Sequence, residues 1–257
     1  MLKYFPKISI IMNCHNGEKY LSQSIKSILN QTYSNWELIF FNNKSTDKSS
    51  SIIKNIKDKR IRYFESKNFL KLYDARNKAI NYANGKFIAF LDTDDLWAKN
   101  KLKTQVIFLK KNNLKACFSN FHTLIEKKNK KILRVKKAIK KLSTQDLLND
   151  YNIGILTVLI DKKIFKKKFN SKYSIIGDFD YFINLSLRIN LGYINSSLAV
   201  YRVHSNNLSI KKNKLYINEL KNWLKSNKAK FVDLGMNLSK QRYLLFKLKV
   251  KGILDIV

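Results

Sequence analysis

Three acids in four residues, Asp92, Asp94 and Asp95 with Thr93 among them, follow directly on the apolar run Phe-Ile-Ala-Phe-Leu at 87–91. Carboxylates this close repel one another, and a hard divalent cation with oxygen ligands relieves the repulsion. The same residues also suit a turn and helix N-cap ahead of Leu96 and Trp97. Acids are scarce here, 18 Asp+Glu against 51 Lys+Arg in 257 residues, so their clustering calls for a reason. Two other polar clusters sit in the same kind of place. Asn13-Cys14-His15-Asn16-Gly17 follows the apolar run 8–12, and Asn42-Asn43-Lys44-Ser45-Thr46-Asp47 follows the run 36–41.

The elements that must position these clusters alternate. Short β-branched and aromatic runs at 8–12, 36–41, 61–64 and 86–91 read as buried strands. Between them, Glu18 to Leu29 carries apolar residues at helical spacing, Ser45-Thr46-Asp47 offers an N-cap to a helix through Ile56, and Tyr73 to Ala83 ends at Asn84-Gly85. Such an order predicts a parallel sheet covered on both faces, with ligands beyond the carboxyl ends of its strands. All three polar clusters would then meet at one edge. The second half is less regular: a helix over 99–112, strands over 115–124, 155–160 and 198–203, and a helix over 178–189. The basic run 126–141 reads as an exposed hairpin or mobile loop, and a Lys-rich amphipathic stretch begins at Lys211.

Composition bounds the function. A net charge of +33 admits nucleic acid, an anionic membrane surface or anionic small substrates as partners. The excess is mostly Lys, alongside abundant Asn and Ile, which fits compositional drift better than a dedicated phosphate-reading surface built from Arg. Two cysteines make no disulfide framework, no stretch reaches the ~20 apolar residues of a membrane span, and the first residues lack a secretory signal pattern. A cytoplasmic protein is the expectation.

Several segments, in order, resemble family 2 glycosyltransferases of the GT-A fold. They are Ile-Ser-Ile-Ile-Met-Asn-Cys-His-Asn-Gly-Glu-Lys-Tyr-Leu from Ile8, Ser-Ile-Leu-Asn-Gln-Thr-Tyr, Trp-Glu-Leu-Ile, and Ser-Thr-Asp at 45–47. Then come Ala75-Arg76-Asn77, the Asp-x-Asp block within 85–97, Gly177-Asp178-Phe179-Asp180-Tyr181 and Tyr201-Arg202-Val203-His204.

The resemblance implies a Rossmann-like α/β fold, a mostly parallel sheet flanked by helices. A GT-A domain would span 1–210, its nucleotide-sugar half 1–97 and its acceptor half 98–210, followed by a basic helical extension over 211–257. It implies inverting transfer from a nucleotide-diphosphate sugar, UDP-linked by expectation, to an acceptor hydroxyl in cell-surface polysaccharide, lipopolysaccharide or glycolipid synthesis. A Mn or Mg ion on the diphosphate would be held by Asp92 and Asp94, with Asp95 and His204 as further candidates. Asn13, His15, Asn16, Asn42, Asn43, Arg76 and Thr93 are candidate donor contacts with the two Asp-x-Asp acids. Asp178 is the candidate general base; Asp180, its competitor, would point elsewhere on a helix, and a cap is the plain structural role for Asp178. Asn42-Asn43 stand where the family commonly has acids, which leaves base selectivity open, and Lys44 stands where Gly is frequent, which implies a different turn. A saccharide or lipid-linked acceptor and peripheral contact with an anionic membrane are the expected partners. A non-catalytic nucleotide-sugar binder and a basic nucleic-acid-binding protein are the alternatives.

Overall fold

The structure is a computed structural model that describes residues 5–127, 130–136, 143–165, 168–208 and 212–254. Its nucleotide-facing half follows the expected alternation: β1 (Ile8–Cys14), α1 (Glu18–Leu29), β2 (Trp36–Asn42), α2 (Ser49–Lys54), β3 (Ile61–Glu65), α3 (Leu72–Asn81) and β4 (Phe87–Phe90). These strands lie in the order β3-β2-β1-β4 and pair in parallel. Successive side chains go to opposite faces, as a strand requires. Ile11, Ile39, Phe41, Ile88 and Phe90 enter one core, and Ile8, Ile10, Met12, Leu38, Phe40 and Ala89 the other. Helices cover both faces.

The sheet then turns mixed. After β5 (Leu96–Trp97) and α4 (Lys101–Lys111) come β6 (Ala116–Lys127), β7 (Lys130–Lys136), α5 (Thr144–Asn149), β8 (Leu159–Asp161), α6 (Gly177–Ser186) and β9 (Gly192–Val203). β8 joins β4 to β6 with antiparallel pairing on both sides, while β6 and β9 run parallel. β5 pairs antiparallel with β9, so the strand after the acidic cluster returns to the segment that carries Arg202 and His204. The basic run forms a hairpin, β7 on β6, over Phe121–Lys127; its residues 128–129 and 137–142 lie outside the described residues.

One expectation needs correction. Residues 155–160 are not one strand: Ile155–Thr157 form a 3-10 turn, with the Thr157 hydroxyl bonded to the Gly154 carbonyl at 2.6 Å, and only Leu159–Asp161 pair in the sheet. A short apolar run cannot distinguish the two by periodicity. The expected C-terminal helices are present, and the first of them is packed on the rest of the chain. Helix α7 (Asn213–Asp233) buries Leu220, Trp223 and Phe231, and the last two belong to the same core as α3 and α6, so a boundary at residue 210 divides one packing unit. Helix α8 (Ser239–Leu254) carries apolar residues round its girth rather than in one stripe, with Tyr243, Leu244, Phe246 and Val250 exposed. No helix among the described residues is long and apolar enough to cross a membrane.

Candidate active site

The carboxyl ends of β1 and β4, the start of α3 and the start of α6 enclose a cleft of 480 Å³. Asn13, His15, Arg76, Asp92, Thr93 and Asp94 line it together with Asp178. The polar clusters after β1 and β4 are thus gathered at one cleft, as parallel topology demands, while none of residues 42–47 lines it.

Asp92 is clasped by Arg76, whose Nη2 lies 2.6 Å and 2.8 Å from the two carboxylate oxygens. Arg76 is 3% exposed; burial works against its charge, and the Asp92 carboxylate overrides that, holding the guanidinium above its ordinary value. Asp94 Oδ2 lies 3.0 Å from His204 Nε2, and the imidazole stacks on Tyr20 with centroids 5.1 Å apart. Burial, and then the charge of Asp92, raise the Asp94 carboxyl above the usual aspartate range, while His204 draws it back. Asp95, 1% exposed, accepts the Arg202 backbone N–H at 2.9 Å; burial and its two acidic neighbours push it well up. Arg202 in turn donates to the Asp94 carbonyl, to Glu126 and to Gln23, tying β9, β6 and α1 behind the acidic turn.

Asn13 is a different kind of feature. Both atoms of its side-chain amide are buried without a hydrogen-bond partner among the described residues, at the lip of the cleft. Orphaned buried amides are costly, and a polar ligand arriving in the cleft would satisfy this one. His15 Nδ1 contacts the Asn43 carbonyl at 2.9 Å and its ring meets the edge of exposed Phe69. Asn16 adopts φ 55° and its Oδ1 accepts the Thr46 N–H at 2.8 Å, fastening the first loop to the second.

The donor contacts expected of Asn42 and Asn43 are not offered by their side chains. The Asn42 amide nitrogen donates toward Ser50, Tyr63 and Glu65 while its oxygen accepts the Ser45 N–H at 3.1 Å. Asn43 pairs with the Leu70 backbone in both directions. Both are buried and hydrogen-bonded within the protein, so their side chains shape the loop. Lys44, at φ 59°, takes the left-handed conformation that favours Gly, so the lysine bears the strain of this turn.

Asp178 occupies the first turn of α6, half-buried. Its Oδ1 accepts the Phe179 N–H at 2.8 Å and lies 3.2 Å from the Tyr73 hydroxyl, which itself accepts the Asp178 N–H at 3.0 Å. All of these fall on Oδ1 or on the backbone, so capping leaves Oδ2 for chemistry. Burial raises the carboxyl and the nearby Arg76 charge opposes it. Asp180 is turned the other way, accepting from Trp223 Nε1 at 2.9 Å and from Asn184.

Two positioning residues escape sequence reading. Tyr73 stands three residues before Arg76 on one face of α3, so a single helix aims both the Asp178 latch and the Asp92 clasp. That spacing was the available signal. Glu219 of α7, 5% exposed, accepts the N–H groups of Ser174, Ile175 and Ile176 at 2.6, 2.9 and 3.2 Å and thereby fixes the loop that leads into Asp178. Only the folded chain brings it there.

Among the described residues no three His, Cys, Asp or Glu side chains form a ready-made metal cage. Asp94 and His204, with Asp92 beside them, could hold a cation that takes its remaining ligands from phosphate and water, as Mg²⁺ and Mn²⁺ do.

The family model described as glycosyl transferase family 2 matches residues 9–185. The chain belongs to glycosyltransferase family 2. It is 34% identical over 212 residues to the Escherichia coli UDP-Glc:alpha-D-GlcNAc-diphosphoundecaprenol beta-1,3-glucosyltransferase WfgD, covering 80% of each chain. It is 30% identical to the Bacillus subtilis putative teichuronic acid biosynthesis glycosyltransferase TuaG, covering 82% of this chain and 85% of that one. In fold it is similar to residues 1–349 of Staphylococcus aureus TarS in complex with UDP-GlcNAc, with a TM-score of 0.67 at 14% identity over 94% of this chain and 71% of that one. It spans 39% of a longer TarS chain. A mannosyltransferase from Pyrobaculum calidifontis, solved with GDP-Man and Mn2+, gives 0.64 at 14% identity, over 87% and 65% of the two chains. The protein is therefore a glycosyltransferase with a GT-A architecture, and the cleft at the carboxyl edge of its sheet is the place to seek the reaction.

Proposed function

We propose that this glycosyltransferase moves a sugar, with inversion, from a UDP-sugar to a hydroxyl of a lipid-linked saccharide at the inner face of the cytoplasmic membrane. One observation carries the reading. A single cleft holds Asp92 and Asp94, the latter in contact with His204, and an aspartate, Asp178, that among the described residues is latched on one oxygen and free on the other.

Inversion needs a direct displacement. The acceptor O–H gives its proton to Asp178 Oδ2 as its oxygen bonds to the anomeric carbon, and the bond from that carbon to the diphosphate breaks with both electrons leaving on phosphate. Tyr73 and Glu219 fix where Asp178 points, and Arg76 keeps Asp92 oriented. Asn13 satisfies its orphaned amide on the donor, and His15 and Thr93 line the path beside it. A Mn or Mg ion on Asp94, His204 and Asp92 would neutralise the charge gathering on the diphosphate. Asp95 and Arg202 hold the acidic turn in shape. The donor and acceptor classes are supported by WfgD, which is named for UDP-glucose and a diphosphoundecaprenol-linked GlcNAc.

Calorimetric titration of UDP, GDP and CDP with and without manganese tests the donor half. Manganese-dependent binding of UDP, lost in Asp94→Asn, is expected. Binding that ignores both the metal and the substitution would refute the assignment of this cluster.

A further inference from the structure

Asp178 has a second aspect. A separate cavity of 540 Å³ lies between α5, the start of α6 and the C-terminal helices α7 and α8, and it shares Ile175 and Asp178 with the donor cleft. Two of the helices that wall it, α7 and α8, lie beyond residue 185, outside the segment matched by the family model.

Its lining is built for a particular chemistry. Phe179, Tyr216, Leu220 and Leu244 give it apolar walls. Within them sit two buried polar atoms that have no partner among the described residues, the Tyr151 hydroxyl and Gln241 Oε1. Gln241 is 5% exposed, and its Nε2 is already committed to the Leu148 carbonyl, so the free oxygen is held in place rather than swinging to solvent. One orphan donor and one orphan acceptor in a single cavity mark a place for a ligand bearing hydroxyls or an amide. Lys240 and Lys247, one face of α8 apart by two turns, stand at the same cavity, and their charges suit phosphate. Outward along α8 the exposed Tyr243, Phe246 and Val250 continue the apolar surface.

Sugar, diphosphate and lipid ask for these features in this order. We infer that the α5–α8 cavity is the acceptor site, and that its occupant is a saccharide joined through diphosphate to a long lipid. The sugar bonds to Tyr151 and Gln241 with its reacting hydroxyl at Asp178, the diphosphate meets Lys240 and Lys247, and the lipid runs along α8 toward the membrane. The hydroxyl thus reaches Asp178 from the side opposite the nucleotide. This rests on the transferase reading above and adds where, and by which residues, the acceptor is held.

The test uses the full chain, UDP-glucose with manganese, and GlcNAc-diphosphoundecaprenol in detergent, alongside a lipid-free GlcNAc glycoside. Release of UDP gives KM and kcat, and calorimetry gives the affinity for UDP. Lys240→Glu/Lys247→Glu is expected to raise the KM for the lipid-linked acceptor about tenfold or more, the loss of a pair of charge-assisted contacts. Tyr151→Phe should raise it about threefold or more, one neutral hydrogen bond. UDP affinity should stay at the wild-type value in both, and circular dichroism should show both folded. An unchanged acceptor KM in folded variants overturns the site while leaving the transferase reading intact. Equal KM values for the lipid-linked and lipid-free acceptors overturn the diphosphate and lipid assignment. Absence of transfer by the wild-type chain, with UDP-glucose or other UDP-sugars, overturns the underlying reading and this inference with it.

Discussion

Lys101 is the most unusual charge in the molecule. The first residue of α4, it is 0% exposed, donates to Gln105 Oε1 at 2.6 Å and lies 4.2 Å from the centroid of the Trp97 ring. No carboxylate pairs with it among the described residues, and burial pushes its amine from the ordinary 10.5 down to about 7. The sign follows from proton counting. Below pH 7 both folded and unfolded chains hold the proton, and folding bears the whole penalty of burying it. Between about pH 7 and 10.5 the unfolded chain binds the extra proton, so stability rises with pH; above that the penalty is gone. At ~1.36 kcal/mol per pH unit the full span is worth about 5 kcal/mol. Lys101→Met removes that penalty and orphans Gln105 Oε1 at a cost of about 1–3 kcal/mol. The variant should therefore be about 2–4 kcal/mol more stable than wild type at pH 6 and about 1–3 kcal/mol less stable near pH 10.5. Urea unfolding of both proteins at pH 6, 8 and 10 measures this. A stability difference that does not change with pH would show that the buried amine is not held uncharged, and the reasoning would fail.

Other substitutions probe the supports of Asp178. Tyr73→Phe should lower kcat about tenfold at unchanged UDP affinity, and, because the lost hydroxyl helped hold the Asp178 carboxyl down, should move the acidic limb of the kcat profile to higher pH; an unmoved limb would exclude Tyr73 as a positioning residue. Glu219→Ala strands three backbone N–H groups and should cost about 2–4 kcal/mol in denaturant titration, with partial recovery in Glu219→Gln. At Gly177 an added Cβ would lie 2.5 Å from the Tyr73 ring, so Gly177→Ala should cut transfer sharply while leaving UDP binding in place; full activity would mean the ring can give way. Lys44→Gly relieves a left-handed lysine at φ 59° and should raise the thermal midpoint, by up to about 1 kcal/mol in stability.

The parallel half was legible because its signals are local. Each strand is a short apolar run ended by a polar cluster, and parallel pairing alone brings the ends of β1, β2 and β4 together. Asp92, Asp94, Arg76, His204 and Asp178 could therefore be named from their places after strands and within motifs. What could not be read depends on distant partners. Asn42 and Asn43 look like ligand contacts until Glu65 and Leu70 are seen to occupy them. Residues 155–160 are apolar enough for a strand, and the Thr157 side chain decides otherwise. The Lys-rich C-terminus reads as an amphipathic helix, but its local pattern does not show which partners it meets: Trp223, at 0% exposure, joins the core, and Glu219 holds the loop before Asp178.

The most direct test of the proposed chemistry separates binding from transfer at one residue. Asp178→Asn keeps the size of the side chain and the hydrogen bonds on one oxygen but removes the base. UDP release from UDP-glucose in the presence of GlcNAc-diphosphoundecaprenol and manganese should fall about 10²- to 10⁴-fold, while calorimetry returns the wild-type affinity for UDP with manganese. Transfer by Asp178→Asn at the wild-type rate would contradict the role assigned to Asp178 and, with it, the reading of the cleft as a site of base-assisted inversion.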